Sequence, residues 1–210
     1  MKIDLNLKLN EFLDAIDFSS KPNLFLHSCC APCSTAVLDK LSKYFKIYII
    51  YSNDNIDTEE EFNKRCSELK KYLNLTKQNI DIIYDRYNHE KFLQVVNGLE
   101  TEPEGGRRCE KCFKLRLKCS FDVASEFITK NKLELCDNYL CSTLSISPHK
   151  NAELLYEIGC EICNNSNLNY LPNDFKKENG YLKSVQISKQ YSIYRQEYCG
   201  CEFAKMHKTE

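Results

Sequence analysis

The chain has 210 residues with 29 Lys+Arg against 30 Asp+Glu, a formal net charge of -1, and thirteen cysteines. That length buries one good core, so one domain with at most a small appendage is expected. The near-neutral charge excludes a bulk polyanion binder, and leaves any nucleic-acid contact to a local patch.

Residues 1–22 carry weak helical periodicity (Leu5, Leu9, Phe12, Leu13, Ile16) and read as an N-terminal extension with one short helix. They contain acidic side chains and no long apolar run, so no secretory signal is legible, and no stretch approaches the ~18 apolar residues of a membrane span. A cytoplasmic protein without a membrane partner is the expectation. In that compartment clustered cysteines mean metal or redox chemistry, and an odd count fits a disulfide framework poorly.

Residues 23–28 (NLFLHS) form a short apolar strand running directly into Cys29-Cys30-Ala31-Pro32-Cys33, where Pro32 suits the first turn of a helix. That helix continues through Ala36, Val37, Leu38 and Leu41. Residues 46–52 (KIYIIYS) are a second strand. Thr58 and Glu61 make a capping box for a helix carrying Phe62, Cys66, Leu69 and Leu73. A third strand over 80–85 and a helix over 89–98 follow, then a Pro/Gly loop over 100–108, a long helix over 109–130, a strand over 139–143 and a helix over 151–163. From Asn164 the chain is Asn-rich and turn-rich, ending in a short helical stretch and the 194–203 segment. Short buried strands alternating with helices predict an α/β fold, a Rossmann-like (HUP-like) three-layer core with a mainly parallel sheet and a helix-rich C-terminal part. The expected division is extension 1–22, one catalytic domain 23–203 and tail 204–210.

The cysteines fall into groups. Cys29-Cys30 sits at a strand-to-helix junction, where α/β sheets bind ligands and a helix N-terminus lowers thiol pKa, so partial thiolate character is expected there. Cys109-x-x-Cys112 opens a helix after Gly105-Gly106. With Cys29 and Cys30 it supplies the four thiolates of a [4Fe–4S] cluster. Adjacent cysteines converge poorly on one tetrahedral ion, which favours a cluster over zinc. Cys30-x-x-Cys33 with Cys109-x-x-Cys112 nevertheless remains an acceptable zinc pair. Cys199-Gly200-Cys201 would close a small strained disulfide ring of the labile, cycling kind; two further metal ligands are the alternative. Cys160-x-x-Cys163 reads as incidental, and Cys66, Cys119, Cys136 and Cys141 as buried small hydrophobes. His27 fits the core, and His149 lies in a loop able to face a ligand. Basic stretches around Arg107, Arg108, Lys111, Lys114, Arg116 and Lys118, and around Arg195 with Tyr191, Tyr194 and Tyr198, flank the cysteines. They could grip the phosphates of a nucleic acid, although each alone is more often a solvated face.

Four strings, LHSCCAPCS (26–34), GLETEPEGGRRCEKCFKLRL (98–117), TLSISPHKN (143–151) and IYRQEYCGC (193–201), closely resemble the QueH family of epoxyqueuosine reductases over roughly residues 23–203. The resemblance implies reductive removal of the epoxide oxygen of epoxyqueuosine at the wobble position of tRNA, with an external electron donor. It also implies a [4Fe–4S] cluster on Cys29, Cys30, Cys109 and Cys112, and a redox-active disulfide between Cys199 and Cys201. A second iron beside the cluster would have a carboxylate ligand, for which Asp174 is the candidate. Arg107, Arg108, Lys111 and Arg195 become candidate RNA contacts. One departure stands out: relatives carry a Tyr-Asn-Pro-Asn-Ile type of loop where this chain has Tyr51-Ser52-Asn53-Asp54-Asn55-Ile56, and the missing Pro should loosen it. A zinc-stabilised RNA-binding module and a cytosolic thiol–disulfide oxidoreductase are the competing readings.

Overall fold

A computed structural model describes residues 3–16 and 21–206. Five strands form one sheet: β1 (Asn23–His27), β2 (Lys46–Tyr51), β3 (Asp81–Tyr84), β4 (Asn138–Ser142) and β5 (Asn169–Tyr170). Their order is β3-β2-β1-β4-β5 and every pairing is parallel. The α/β Rossmann-like reading therefore holds, and the sheet is wholly rather than mainly parallel. β5 is an addition, because its two residues are too few to stand out in an Asn-rich stretch.

Alternation along the strands explains the three layers. Leu24, Leu26, Ile47, Ile49 and Tyr51 point to one face, under α2 (Ala31–Leu41) and α3 (Glu59–Leu75). Phe25, Tyr48, Ile50 and Leu140 point to the other, under α5 (Arg107–Lys130) and α6 (Ala152–Cys163). The N-terminal helix α1 (Leu5–Ala15) inserts Leu9 and Leu13 into the first of these cores, and Phe12 packs edge-on to Tyr139 at 5.0 Å. A third apolar cluster joins α4 (His89–Val96) and α5 to the C-terminal α8 (Phe203–Met206), and it contains Cys112 and Cys201. Between these, α7 (Gly180–Gln190) lies against α2. No helix among the described residues is long and apolar enough to cross a membrane.

Strand order reverses between β1 and β4, so the crevice beyond their carboxyl ends is where this architecture binds ligands. β1 leads there to Cys29 and Cys30, and β4 leads to a 3-10 turn, Thr143–Ile146. His27, the last residue of β1, is fully buried between Ser142 Oγ (2.7 Å from Nδ1) and the Ser52 carbonyl (3.1 Å from Nε2). The carbonyl can only accept, so Nε2 carries the proton. Burial, helped by Arg116, lowers the His27 pKa to about 3 and keeps the ring neutral.

Gly159 in α6 tests the packing of the edge strand. Alanine ordinarily stabilises a helix over glycine by about 1 kcal/mol. A Cβ here would lie 2.4 Å from the Tyr170 ring. Gly159→Ala is therefore predicted to lower stability, by about 1–3 kcal/mol for an overpacked core site. Urea unfolding measures it, and an unchanged or raised midpoint would refute the packing argument.

Candidate active site

The site is built at the β1–α2 junction. Cys30 is the N-cap of α2, and its backbone is extended (φ -173°, ψ 164°), which turns its side chain back to accept from the Cys33 amide at 3.3 Å. The turn brings Cys29 and Cys30 sulfurs to 3.8 Å and Cys30 and Cys33 sulfurs to 2.7 Å, with all three within 4.8 Å of one another. The expectation that neighbouring cysteines diverge is thus corrected, because the abrupt strand-to-helix turn re-aims one of them. Thr143 Oγ1 lies 3.4 Å from the Cys29 sulfur, and Gln196 Nε2 donates to Cys30 at 3.0 Å.

Three sulfurs this close share their protons. Hydrogen bonds with Cys30 and then Cys33 hold Cys29 well below the usual thiol pKa. Burial pushes Cys30 up to about 12, and the contacts with Cys29 and Cys30 push Cys33 up. The expected partial thiolate character is thus found at Cys29, through its neighbouring thiols rather than the helix terminus, and not at Cys30, where desolvation dominates.

The second sulfur group is presented by α5. Cys109 and Cys112 lie in its first turns, and Arg116 follows Cys112 by one turn on the same face. Cys109 accepts from the Gly105 amide at 3.2 Å. Cys109, Cys112, Cys199 and Cys201 line one small void, along with Asn55, whose side-chain amide has no hydrogen-bond partner. Burial raises Cys112 to about 12, raises Cys109, and raises Cys201 to about 11. Cys199 also borders a larger cavity of about 340 Å³, which is lined by Cys29, Cys33, Arg65, Arg116 and Lys150 among others. The two sulfur groups thus adjoin through Cys199.

The C-terminal segment is pinned in place. Arg65, itself buried and paired with Glu61 at 2.8 Å, donates to the Cys199 carbonyl at 3.1 Å. The Gly200 carbonyl accepts from the Asp57 amide at 2.9 Å. Gly200 adopts φ +131°, and a Cβ would meet Asn55, Arg65 and Ile56 within 3.3 Å, so only glycine fits between the two cysteines. The 52–56 loop that holds this segment is buried rather than loose. Asn53 donates to the Ser28 carbonyl, the Asp54 carboxylate accepts from the Asn88 amide, and Tyr87 reaches the Ile56 carbonyl. Side-chain hydrogen bonds supply the rigidity expected of the missing proline.

Several candidates lie elsewhere than expected. Asp174 does not line either sulfur cavity; it borders a separate cleft with Asp4 and is paired to Lys176 at 2.7 Å. Glu104 and Glu197 are the carboxylates at the larger cavity. Arg108, expected to face RNA, is buried, and its guanidinium holds the carbonyls of Leu99, Glu100 and Glu102. Only Nη1 makes those bonds, and burial, rather than saturation of its donors, keeps the guanidinium from a surface phosphate. Arg107 is exposed and paired to Glu102, Lys111 is exposed, and Arg195 lines the larger cavity. His149 borders both cavities. Cys66, Cys119 and Cys141 are buried as expected, whereas Cys136 is exposed.

Arg116 and Asn53 are the residues that sequence reasoning passed over. Arg116 looked like part of a solvated basic stretch, yet it is 2% exposed and donates to Asn53 Oδ1 at 2.5 Å. Burial works against its charge, but the sulfurs of Cys112, Cys29 and Cys199 outweigh burial and raise its pKa.

A family description, epoxyqueuosine reductase QueH, matches residues 24–207. The chain is 40% identical over 192 residues to a protein named epoxyqueuosine reductase QueH from Staphylococcus epidermidis, covering 89% of this chain and 77% of that protein. It is 38% identical to one of the same name from Staphylococcus aureus, covering 90% and 78%, and 37% identical to one from Streptococcus pyogenes, covering 89% and 71%. The matched span contains every cysteine segment that meets at the sheet's switch point, and on this basis the chain belongs to the QueH family of epoxyqueuosine reductases.

Proposed function

We propose that the chain reduces epoxyqueuosine in tRNA to queuosine, using an iron–sulfur centre on Cys29, Cys30, Cys109 and Cys112 and a dithiol on Cys199 and Cys201. The observation that carries the proposal is the meeting of three sequence-distant cysteine segments around two adjoining cavities at the switch point of the sheet. The donor set suits a thiolate-bound iron–sulfur group, because amide N–H groups point at the Cys30 and Cys109 sulfurs and a buried cation faces Cys29 and Cys112. When bound, such a centre supplies single electrons and, through an adjacent iron, Lewis acidity.

The rest of the chemistry falls to the chain. Converting an epoxide to an alkene and water consumes two electrons and two protons. Oxidation of the Cys199 and Cys201 thiols to a disulfide releases both pairs, and an external donor restores the dithiol. The cavity of about 340 Å³ suits one nucleoside. Tyr181 and Tyr198 offer it stacking surfaces, and Lys150 and Arg195 offer cationic partners for flanking phosphates. The apolar cluster of Phe92, Val96, Leu115 and Phe203 keeps water from Cys112 and Cys201. Exposed Arg107 and Lys111 extend the cationic surface outward.

The convergence of Cys29, Cys30 and Cys33 favours a second reading, a single thiophilic ion on those three sulfurs. Three protein ligands with an open fourth position are the arrangement of a catalytic rather than a structural zinc-type site.

The direct test is conversion of epoxyqueuosine-containing tRNA by anaerobically reconstituted protein, read by nucleoside mass spectrometry; absence of queuosine would overturn the proposal. Cys112→Ser is predicted to lose bound iron and to fall by more than about 100-fold in activity. Cys199→Ser should keep its iron and sulfide yet form almost no queuosine, whereas wild type without an external donor stops after about one turnover; full multiple turnover by the variant would remove the dithiol from the mechanism. Cys33→Ser separates the two metal readings. The cluster reading predicts wild-type iron and sulfide in that variant, whereas the single-ion reading predicts loss of the metal.

A further inference from the structure

Arg116 is an expensive residue. It is 2% exposed, it lies mid-helix in α5, and among the described residues no carboxylate pairs with it. Nη2 donates to Asn53 Oδ1, Nε and Nη1 are buried without such a partner, and a hydrogen bond with Cys112 favours the charge. Removing a guanidinium from water without a counter-ion costs several kcal/mol, and a well-packed apolar residue of similar volume is often neutral or better for stability. What bears on this cation most is sulfur, with the Asp54 carboxylate also within range of its charge. Cys112 precedes it by one helical turn, and the charges of Cys29 and Cys199 also bear on it. It borders the cavity that holds Cys29, Cys33 and Cys199.

Neutral thiols give such a cation little compensation. Thiolates committed to a metal group give it a great deal, because they are deprotonated when they ligate. Resting on the reading above, we propose that Arg116 is a fixed counter-charge for the sulfur centre: it destabilises the metal-free protein and stabilises the loaded one. It is a positioning residue, acting through the sulfurs and through Asn53 rather than on substrate.

The consequence is a change of sign that an ordinary structural arginine would not show. Arg116→Met and Arg116→Lys are compared with wild type in two anaerobic states, chelator-stripped and reconstituted with iron and sulfide. The readouts are the thermal midpoint of each state and the rate of iron release to a chelator. In the stripped protein, Arg116→Met should melt at or above the wild-type midpoint. In the loaded protein it should melt lower and release iron at least about tenfold faster, in line with the penalty for breaking a buried charge pair. Its reduction midpoint should also move to lower potential, since loss of a nearby positive charge favours the oxidised state. Arg116→Lys should recover most of the retention. Arg116→Gln, which keeps a donor for Asn53, replaces Arg116→Met if the latter does not fold.

Equal destabilisation of both states would make Arg116 a structural residue, and unchanged iron release would end its counter-charge role; either result overturns the proposal while leaving the iron–sulfur reading intact. A wild-type protein that takes up no iron and sulfide would end both.

Discussion

The position of the site depends on one buried side chain, Asn53. Its amide nitrogen donates to the Ser28 carbonyl at 2.9 Å, next to the cysteines that follow β1. Its oxygen accepts from Arg116, on the helix that carries Cys109 and Cys112. The loop after β2 thus ties together the two elements that supply sulfur, on opposite sides of the sheet's carboxyl edge. His27 adds a second tie between the ends of β1, β2 and β4, and its burial-enforced neutrality fixes which nitrogen donates. The same loop continues to Asn55 and Asp57, against which the Cys199–Cys201 segment is seated.

Desolvation dominates the electrostatics of this region. Burial is the largest cause of the raised pKa values at Cys30, Cys109, Cys112 and Cys201, so desolvation favours the thiol form at these four. Cys29 is the exception, because two neighbouring thiols hydrogen-bond with it. Buried cations and buried sulfur form an incomplete set. A group that deprotonates the cysteines would complete it, and the polar atoms left unpartnered on Arg116 and Gln196 lie where such a group would be felt.

Much of this was legible in the sequence, for physical reasons that differ by element. β1 and β2 are dense in Leu, Ile, Phe and Tyr because both faces of a parallel strand are covered, and such runs are conspicuous. Turn and cap chemistry marked α2 and α3. The grouping of cysteines marked the site itself, since thiols clustered at such spacings serve metal or redox chemistry. β5 escaped because two residues carry no periodicity. Arg108 and Arg116 were misread because charge was weighed ahead of spacing. Residues 108, 112, 116 and 119 fall on one helical stripe, and the stripe that contains Cys112 and Cys119 is the buried one. Spacing would have placed both arginines inside. Asp174 was drawn from a short polar motif, but Lys176 two residues on satisfies its carboxylate in a cleft that adjoins the sulfur cavities only through Lys150. The 52–56 loop shows the reverse error, in which backbone stiffness was sought in a proline and is supplied by side-chain hydrogen bonds.

The central claim is that the cysteines meeting at the switch point hold an iron–sulfur group. Anaerobic purification followed by iron, acid-labile sulfide and zinc determination on one sample, with its visible spectrum, tests it most directly. The account predicts a brown protein with about four sulfides and four to five irons per chain. A colourless protein with stoichiometric zinc and no sulfide, unchanged after attempted reconstitution, would contradict it.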